Sequence, residues 1–324
     1  MNVLRYNPLL GTWTIVAAGR QTRPNLPKDY CPFCPRDNPK LPLDFEVLAY
    51  DNDFPALHPH APEPEPVPMP FLRQAARGKC EVVLYSPEHD KHLKDFSLEH
   101  VQKIVGLWRA RTRALFAKPE IKYVHVFENR GEAVGVTIHH PHGQIYAYPF
   151  LPLKIQTELD NARQYFSRTG TNLFDALNAA EIDDGRRILL ENASFVAYLP
   201  DFTDYPFGAF VVAKKDLQTF VEFSEWHAKD LAQILRDLVG GFDFLYRAPF
   251  PYMMCVHQAP PHGEHREYFR FHIEFYPPLR APGVIKYYAS SELGAWAAAN
   301  TRLVEETAQE LRAAIAEYRD AKRK

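Results

Sequence analysis

The sequence predicts an α+β fold that is duplicated within one chain. Three observations predict it. Two segments, "CEVVLYSPEHDKHLKDFSLEHVQKIVGLWRARTRAL" and "GAFVVAKKDLQTFVEFSEWHAKDLAQILRDLVGGFDFL", share one order: apolar strand, short loop, Phe-Ser helix start, amphipathic helix. Two strand-like runs, the second of each pair bearing histidine, follow each helix. The 324 residues, 46% hydrophobic and 24% charged, suit about two domains with a full core.

Each element has its own signal. Ser97 and Ser224 read as helix N-caps, because a serine oxygen can accept from an unpaired N–H of the first turn. Val101, Ile104, Val105 and Trp108 fall at helical spacing, as do Leu231, Ile234, Leu235 and Leu238. Strands are expected at 46–50 and 80–85. In the first half "YVHVFEN" and "GVTIHHPHGQIYAY" follow the helix; in the second, "YMMCVHQAP" and "YFRFHIEFYPP" do so. Between Pro55 and Pro70 seven prolines fall in sixteen residues, which predicts an extended surface loop. A last amphipathic helix, Thr301 to Arg319, is expected to pack on the rest.

Composition excludes some functions. The formal net charge is −2, without the basic surplus of a polyanion binder, so no nucleic-acid partner is expected. Met1 to Leu10 lacks the apolar core of a secretory signal, and no stretch is apolar enough to span a bilayer. The expectation is a cytoplasmic protein without a membrane partner. In a reducing compartment Cys31, Cys34, Cys80 and Cys255 are not a disulfide framework.

Two constellations carry chemistry. In His139-His140-Pro141-His142-Gly143-Gln144, strand alternation would put His140, His142 and Gln144 on one face, roughly 6.6 Å apart in steps of two. Three polar groups there are costly to bury without partners. An imidazole can ligate metal, act as a base, or attack phosphorus and split one transfer into two easier steps. The bland alternative is a solvated strand edge. Cys31-Pro-Phe-Cys34 reads as half a tetrahedral zinc site or as a redox pair. No thioredoxin-like context surrounds it, and His89 and His140 could complete a zinc set. Such a zinc would be structural, locking the N-terminal segment against the strand of His142. His58, His60, His139, His262 and His265 read as solvated or loop residues, and Cys80 and Cys255 as buried small residues.

"CPFC", "SPEH", "FENRG", "HPHGQ" and "FYPP", in this order, resemble the galactose-1-phosphate uridylyltransferase family of the histidine-triad superfamily. The resemblance runs from about Arg5 to about Glu310. It implies a duplicated histidine-triad-like fold of mostly antiparallel sheets with packed helices, its halves taken as 1–165 and 166–324. It implies zinc on Cys31, Cys34, His89 and His140, His142 as the nucleophile, and Gln144 as the group stabilising a uridylyl-histidine. Arg20 and Arg23 would meet phosphate, Asn52 and Asp53 the nucleoside, and Asn129 with Gly135, Val136 and Thr137 the phosphate path. Lys286, Tyr287 and Glu292 would approach the substrate. A second divalent metal, iron or zinc, would fall on Glu158, His257, His272 and Glu274, and the second half would be the degenerate copy, with His140 and His142 matching His272 and Glu274.

The implied reaction moves a uridylyl group from UDP-glucose to galactose 1-phosphate in a ping-pong cycle, by a homodimer with shared sites. Two departures stand out. Glu274 replaces the second histidine of a His-x-His seen in some members, and Ala298 replaces a sugar-contacting glutamine. They leave open a related nucleotidyl transferase, such as an ADP-glucose phosphorylase type, with the same mechanism.

Overall fold

A computed structural model describes residues 2–22, 29–214 and 216–324. The chain begins with β1 (Asn2–Asn7), β2 (Thr12–Ala17), β3 (Leu48–Asp51), β4 (Arg73–Ala75) and β5 (Lys79–Leu84). Helix α1 (Leu98–Phe116) then leads into β6 (Tyr123–Arg130) and β7 (His142–Tyr148). Two helices, α2 (Leu153–Thr169) and α3 (Leu173–Asp184), separate this unit from its counterpart. The counterpart comprises β8 (Ile188–Glu191), β9 (Phe195–Tyr198), β10 (Phe210–Ala213), α4 (Glu225–Leu245), β11 (Tyr252–His257) and β12 (His272–Tyr276). The hairpin β13 (Leu279–Ala281) and β14 (Val284–Ile285), the short α5 (Ser290–Gly294) and α6 (Val304–Arg323) close the chain.

Both halves share one nine-stranded sheet, ordered β3-β5-β7-β6-β11-β12-β10-β9-β8. Outward from its centre, β6-β7-β5-β3 is mirrored by β11-β12-β10-β9, and every pairing is antiparallel. The duplication therefore meets at the β6–β11 ladder, where Arg130 faces Tyr252 and Glu128 faces Met254. The 165/166 division read from the sequence falls inside α2.

Side-chain alternation gives this sheet two unlike faces. Val83, Val124, Val126 and Ile145 join Trp108 and Val105 of α1 and Leu231 and Leu238 of α4 in the main core. Ser97 Oγ accepts from the His100 N–H at 3.1 Å and Ser224 Oγ from the His227 N–H at 3.2 Å, so both expected caps form. Helix α6 packs closely on α4 because Gly240 and Gly241 carry no Cβ; one there would strike Tyr318 and Ile315. On the other face, the small sheet β2-β1-β4 packs Leu4 and Ala75 against Cys80 and Tyr146. Helices α2 and α3 cover Tyr123, Val196, Tyr198 and Val212 with Ile155, Leu159 and Phe174. The functional side chains emerge on this second face.

Several expectations need correction. The strand expected through 135–148 begins only at His142. Pro141 has no N–H for the ladder, so the segment before it is a loop and His140 is not on the strand face. The last helix runs Val304–Arg323, and Cys255 is half-buried. The N-terminal sheet, α2 and α3 had no sequence expectation.

Arg130 binds Asp243 of α4 through two bonds of 2.6 and 2.8 Å, with both side chains 6% exposed. Asp243 Oδ1 also accepts from the Phe250 N–H at 2.9 Å. This pair ties β6 of one half to α4 of the other. Removing one partner strands a buried charge, so Asp243→Ala is expected to lower stability by about 3–5 kcal/mol. A urea midpoint equal to that of the parent would show that the pair does not bind the halves.

Candidate functional site

His142 opens β7, and its Nδ1 lies 2.7 Å from the carbonyl oxygen of His140. A carbonyl only accepts, so Nδ1 carries the proton and Nε2 keeps its lone pair. Burial lowers the His142 pKa and so favours the neutral ring, and that hydrogen bond opposes it only in part. Gln144 follows two residues later on the same face. Gly143 between them must be glycine, because a Cβ there would strike the phenol of Tyr85 beneath the strand.

An open cleft lies over these groups. His142, Gln144, Thr137, Arg20, Asn52 and Asp53 line it, together with Phe33, Tyr50 and Phe54. Arg20 Nη1 donates to Tyr146 Oη at 2.6 Å, so it stands on β7 two residues beyond Gln144. Asn52 Oδ1 accepts from the Phe54 N–H at 2.8 Å and Asp53 pairs with Lys40 at 2.7 Å. A second recess, reaching His142 from its other side, is lined by Asn129, Arg130 and Val136. Gly135 ends the turn Glu132–Val134 with φ of 78°, a left-handed conformation suited to glycine. The structure thus brings Arg20, Asn52, Asp53, Asn129, Val136 and Thr137 around His142. Arg23 lies outside the described residues.

Cys31, Cys34, His89 and His140 offer ligand atoms that all lie within 4.8 Å of one another. Cys34 Sγ is 3.4 Å from His89 Nδ1 and 3.5 Å from His140 Nδ1. Around a tetrahedral zinc, a sulfur and a nitrogen ligand stand about 3.5 Å apart. His140 Nε2 donates to the Ser86 carbonyl at 2.8 Å, which turns the Nδ1 lone pair toward the sulfur. Burial and the adjacent Cys31 push the Cys34 thiol up to about 12. The donor set fits a tetrahedral metal ion of zinc type. Contrary to the strand-face expectation, His140 points into this cluster while His142 and Gln144 point into the cleft.

Glu158, His257, His272 and Glu274 form a second cluster, also with ligand atoms within 4.8 Å. It lies on the same face of the sheet, with its histidines on β11 and β12, two and three strands from β7. Glu158 of α2 reaches His257 Nδ1 at 2.9 Å. Glu274 Oε1 stands 3.7 Å from His257 Nδ1 and 3.6 Å from His272 Nε2. Its other oxygen is held by Lys154 at 2.5 Å and by Tyr276. Two imidazoles and two carboxylates fit a divalent ion. The two strands β7 and β12 open alike: His272 Nδ1 lies 3.0 Å from the Arg270 carbonyl, as His142 does from that of His140. By this bonding His272 matches His142, and Glu274 matches Gln144. The pairing expected from the sequence is therefore out of step by two residues, because histidine spacing and strand starts do not coincide.

Lys286, Tyr287 and Glu292 are not brought to His142 within one chain. Lys286 is buried against Tyr205 and Tyr288, with ring centroids at 5.0 and 4.6 Å, and its Nζ is 3.9 Å from Glu292. Tyr287 is 72% exposed. Ala298 borders the second cluster's recess instead of the His142 cleft. Phe33, Tyr50 and Phe54 in the cleft had no sequence expectation; the position of Phe33 between two candidate ligand cysteines was the available signal.

Fold and site together define a nucleotidyltransferase on a duplicated α+β scaffold. Residues 1–152 match the family described as galactose-1-phosphate uridyl transferase, N-terminal domain, and residues 158–323 match its C-terminal domain. The chain belongs to the galactose-1-phosphate uridylyltransferase family. It is 36% identical over 315 residues to galactose-1-phosphate uridylyltransferase of Thermotoga maritima, covering 96% of this chain and 98% of that protein. Its fold matches a solved uridylyltransferase structure with a TM-score of 0.89 at 28% identity, covering 98% of this chain and 99% of that one. An ADP-glucose phosphorylase from Arabidopsis thaliana with bound ADP-glucose shares the fold, with a TM-score of 0.74 at 22% identity and coverage of 95% and 98%.

Substituting Cys34→Ser is expected to lower bound metal and melting temperature together, since ligation and folding are coupled. Metal analysis beside a thermal melt checks this. Full metal content with an unshifted melt would place the ion elsewhere.

Proposed function

We propose that the chain transfers a uridylyl group from UDP-glucose to galactose 1-phosphate through a uridylyl-His142 intermediate. The observation that carries this reading is the free Nε2 of a neutral His142 facing a cleft that also holds Gln144, Thr137 and Arg20. The Nε2 lone pair attacks the α-phosphorus of UDP-glucose as the bond to the bridging oxygen breaks. Glucose 1-phosphate leaves with that oxygen. A phosphate oxygen of galactose 1-phosphate then attacks the same phosphorus, the P–N bond breaks, and UDP-galactose departs. The Gln144 amide donates to a non-bridging oxygen as charge builds there, and Arg20 neutralises phosphate charge, helped by Arg23. Asn52 and Asp53 hold the nucleoside; Asn129, Gly135, Val136 and Thr137 guide the phosphates. The uridine preference rests on family membership, which favours this reading over the ADP-glucose phosphorylase type.

Cys31, Cys34, His89 and His140 would hold a structural zinc that stiffens the segment presenting His142. Glu158, His257, His272 and Glu274 would hold iron or zinc in a supporting role. We place the enzyme in the cytoplasm, where the four free thiols stay reduced, and expect no nucleic-acid partner. No helix among the described residues is long and apolar enough to cross a membrane. Lys286, Tyr287 and Glu292 stand apart from His142 in their own chain, in a segment where Tyr287, Leu293 and Trp296 are exposed. A homodimer in which this segment reaches the partner's cleft accounts for both facts.

Incubation with UDP-glucose should add one uridylyl group to the intact mass, and His142→Asn should abolish that gain while folding normally. Labelling of the Asn variant, or labelling only with ADP-glucose, would overturn the nucleophile or the uridine assignment respectively. Mixing inactive His142→Asn with inactive Lys286→Met should restore part of the activity through mixed dimers. No recovery in subunit-exchanged samples would mean that each chain carries a whole site.

A further inference from the structure

Phe33 has no part in metal binding, although it lies between two candidate ligands. Its N–H donates to Cys31 Sγ at 3.4 Å, and the Cys34 N–H closes the turn on the Cys31 carbonyl at 3.0 Å. These bonds and the cluster fix the Phe33 backbone. Its side chain is 8% exposed and packs with Leu41, Val82 and Leu84. Its ring meets the His142 imidazole at 4.7 Å between centroids and 64° between planes. It also meets His140 at 6.3 Å and 85°, and Tyr50 at 6.3 Å and 78°. The aromatic ring therefore stands among three others, and the shortest of these contacts is with the imidazole that faces the cleft.

The geometry of His142 makes this contact consequential. One hydrogen bond, from Nδ1 to the His140 carbonyl, sets the tautomer but is by itself a single contact against a swivel of the ring about Cβ–Cγ, which bends and then breaks it. A swivel turns the Nε2 lone pair away from the line of attack. A second contact on the ring opposes the swivel, and aromatic pairs favour such tilted arrangements. We propose that Phe33 is a positioning residue that holds the plane of the His142 imidazole for attack on phosphorus. The Cys31–Cys34 turn thus reaches His142 by two routes, through Cys34 against the His140 ring and through the Phe33 ring. The inference rests on the reading of His142 as the nucleophile.

Phe33 also lines the cleft, so a merely structural or base-stacking role must be separated from positioning. The test is single-turnover uridylylation by UDP-glucose in Phe33→Leu, Phe33→Val and Phe33→Ala. Metal content, the dissociation constant for UDP-glucose and the saturating rate are measured for each. The saturating rate should fall stepwise with side-chain size, by about ten-fold or more at the small end, since sub-ångström misplacement already slows attack. The dissociation constant and metal content should change far less. Nitrogen NMR of His142 should pass from a single Nδ1–H form to a broadened or mixed signal along the series. A flat saturating rate with only weaker UDP-glucose binding would overturn the proposal and leave Phe33 a wall of the cleft. Should the alanine variant not fold, the leucine and valine variants decide. Absence of labelling in the unsubstituted protein would instead overturn the underlying functional reading.

Discussion

A hydrogen bond of 2.7 Å from His142 Nδ1–H to the carbonyl of His140 is the constraint on which the site turns. It selects the tautomer that leaves Nε2 free. Its acceptor belongs to a residue whose own ring is turned the other way, with Nε2 on Ser86 and Nδ1 toward Cys34. One residue therefore orients the His142 ring with its backbone and joins the Cys31, Cys34 and His89 cluster with its side chain. Pro141 makes this possible. It keeps His140 out of the ladder, so the two histidines can serve different sites while only two residues apart.

The sheet explains why the site stays rigid. The face covered by α1 and α4 holds the main apolar core, and the opposite face carries the polar groups between the patches covered by the small sheet and by α2 and α3. The two halves meet at β6 and β11, where buried Glu128, Arg130, Tyr252 and Asp243 are bonded to one another across the join. Burying such groups is tolerable only because each finds a partner. The core beneath His142 is thus common to both halves, although only the first half carries a nucleophile.

The second half repeats the device with different chemistry. His272 makes the same backbone bond as His142, but its free nitrogen faces carboxylates. Where Gln144 offers an amide to the cleft, Glu274 offers one oxygen to two imidazoles and gives the other to Lys154. The same backbone bond thus leaves one ring nitrogen facing an open cleft in the first half and carboxylates in the second. Neighbouring charge sets the two apart.

The sequence by itself determined what local rules can determine. Ser97 and Ser224 marked helix starts because a cap is a contact three residues long. The duplication, the Cys31-Pro-Phe-Cys34 turn and "HPHGQ" were legible because their chemistry is written in residue type and short spacing. The tertiary structure decided the rest. Helices α2 and α3, the direction of His140, the matching of His272 with His142, and the place of Phe33 depend on strand starts and on packing between segments far apart in the chain. Glu158 and His257 stand 2.9 Å apart only because α2 crosses the sheet at that point. Periodicity cannot encode such a crossing, since the energy that fixes it comes from apolar surface buried between elements.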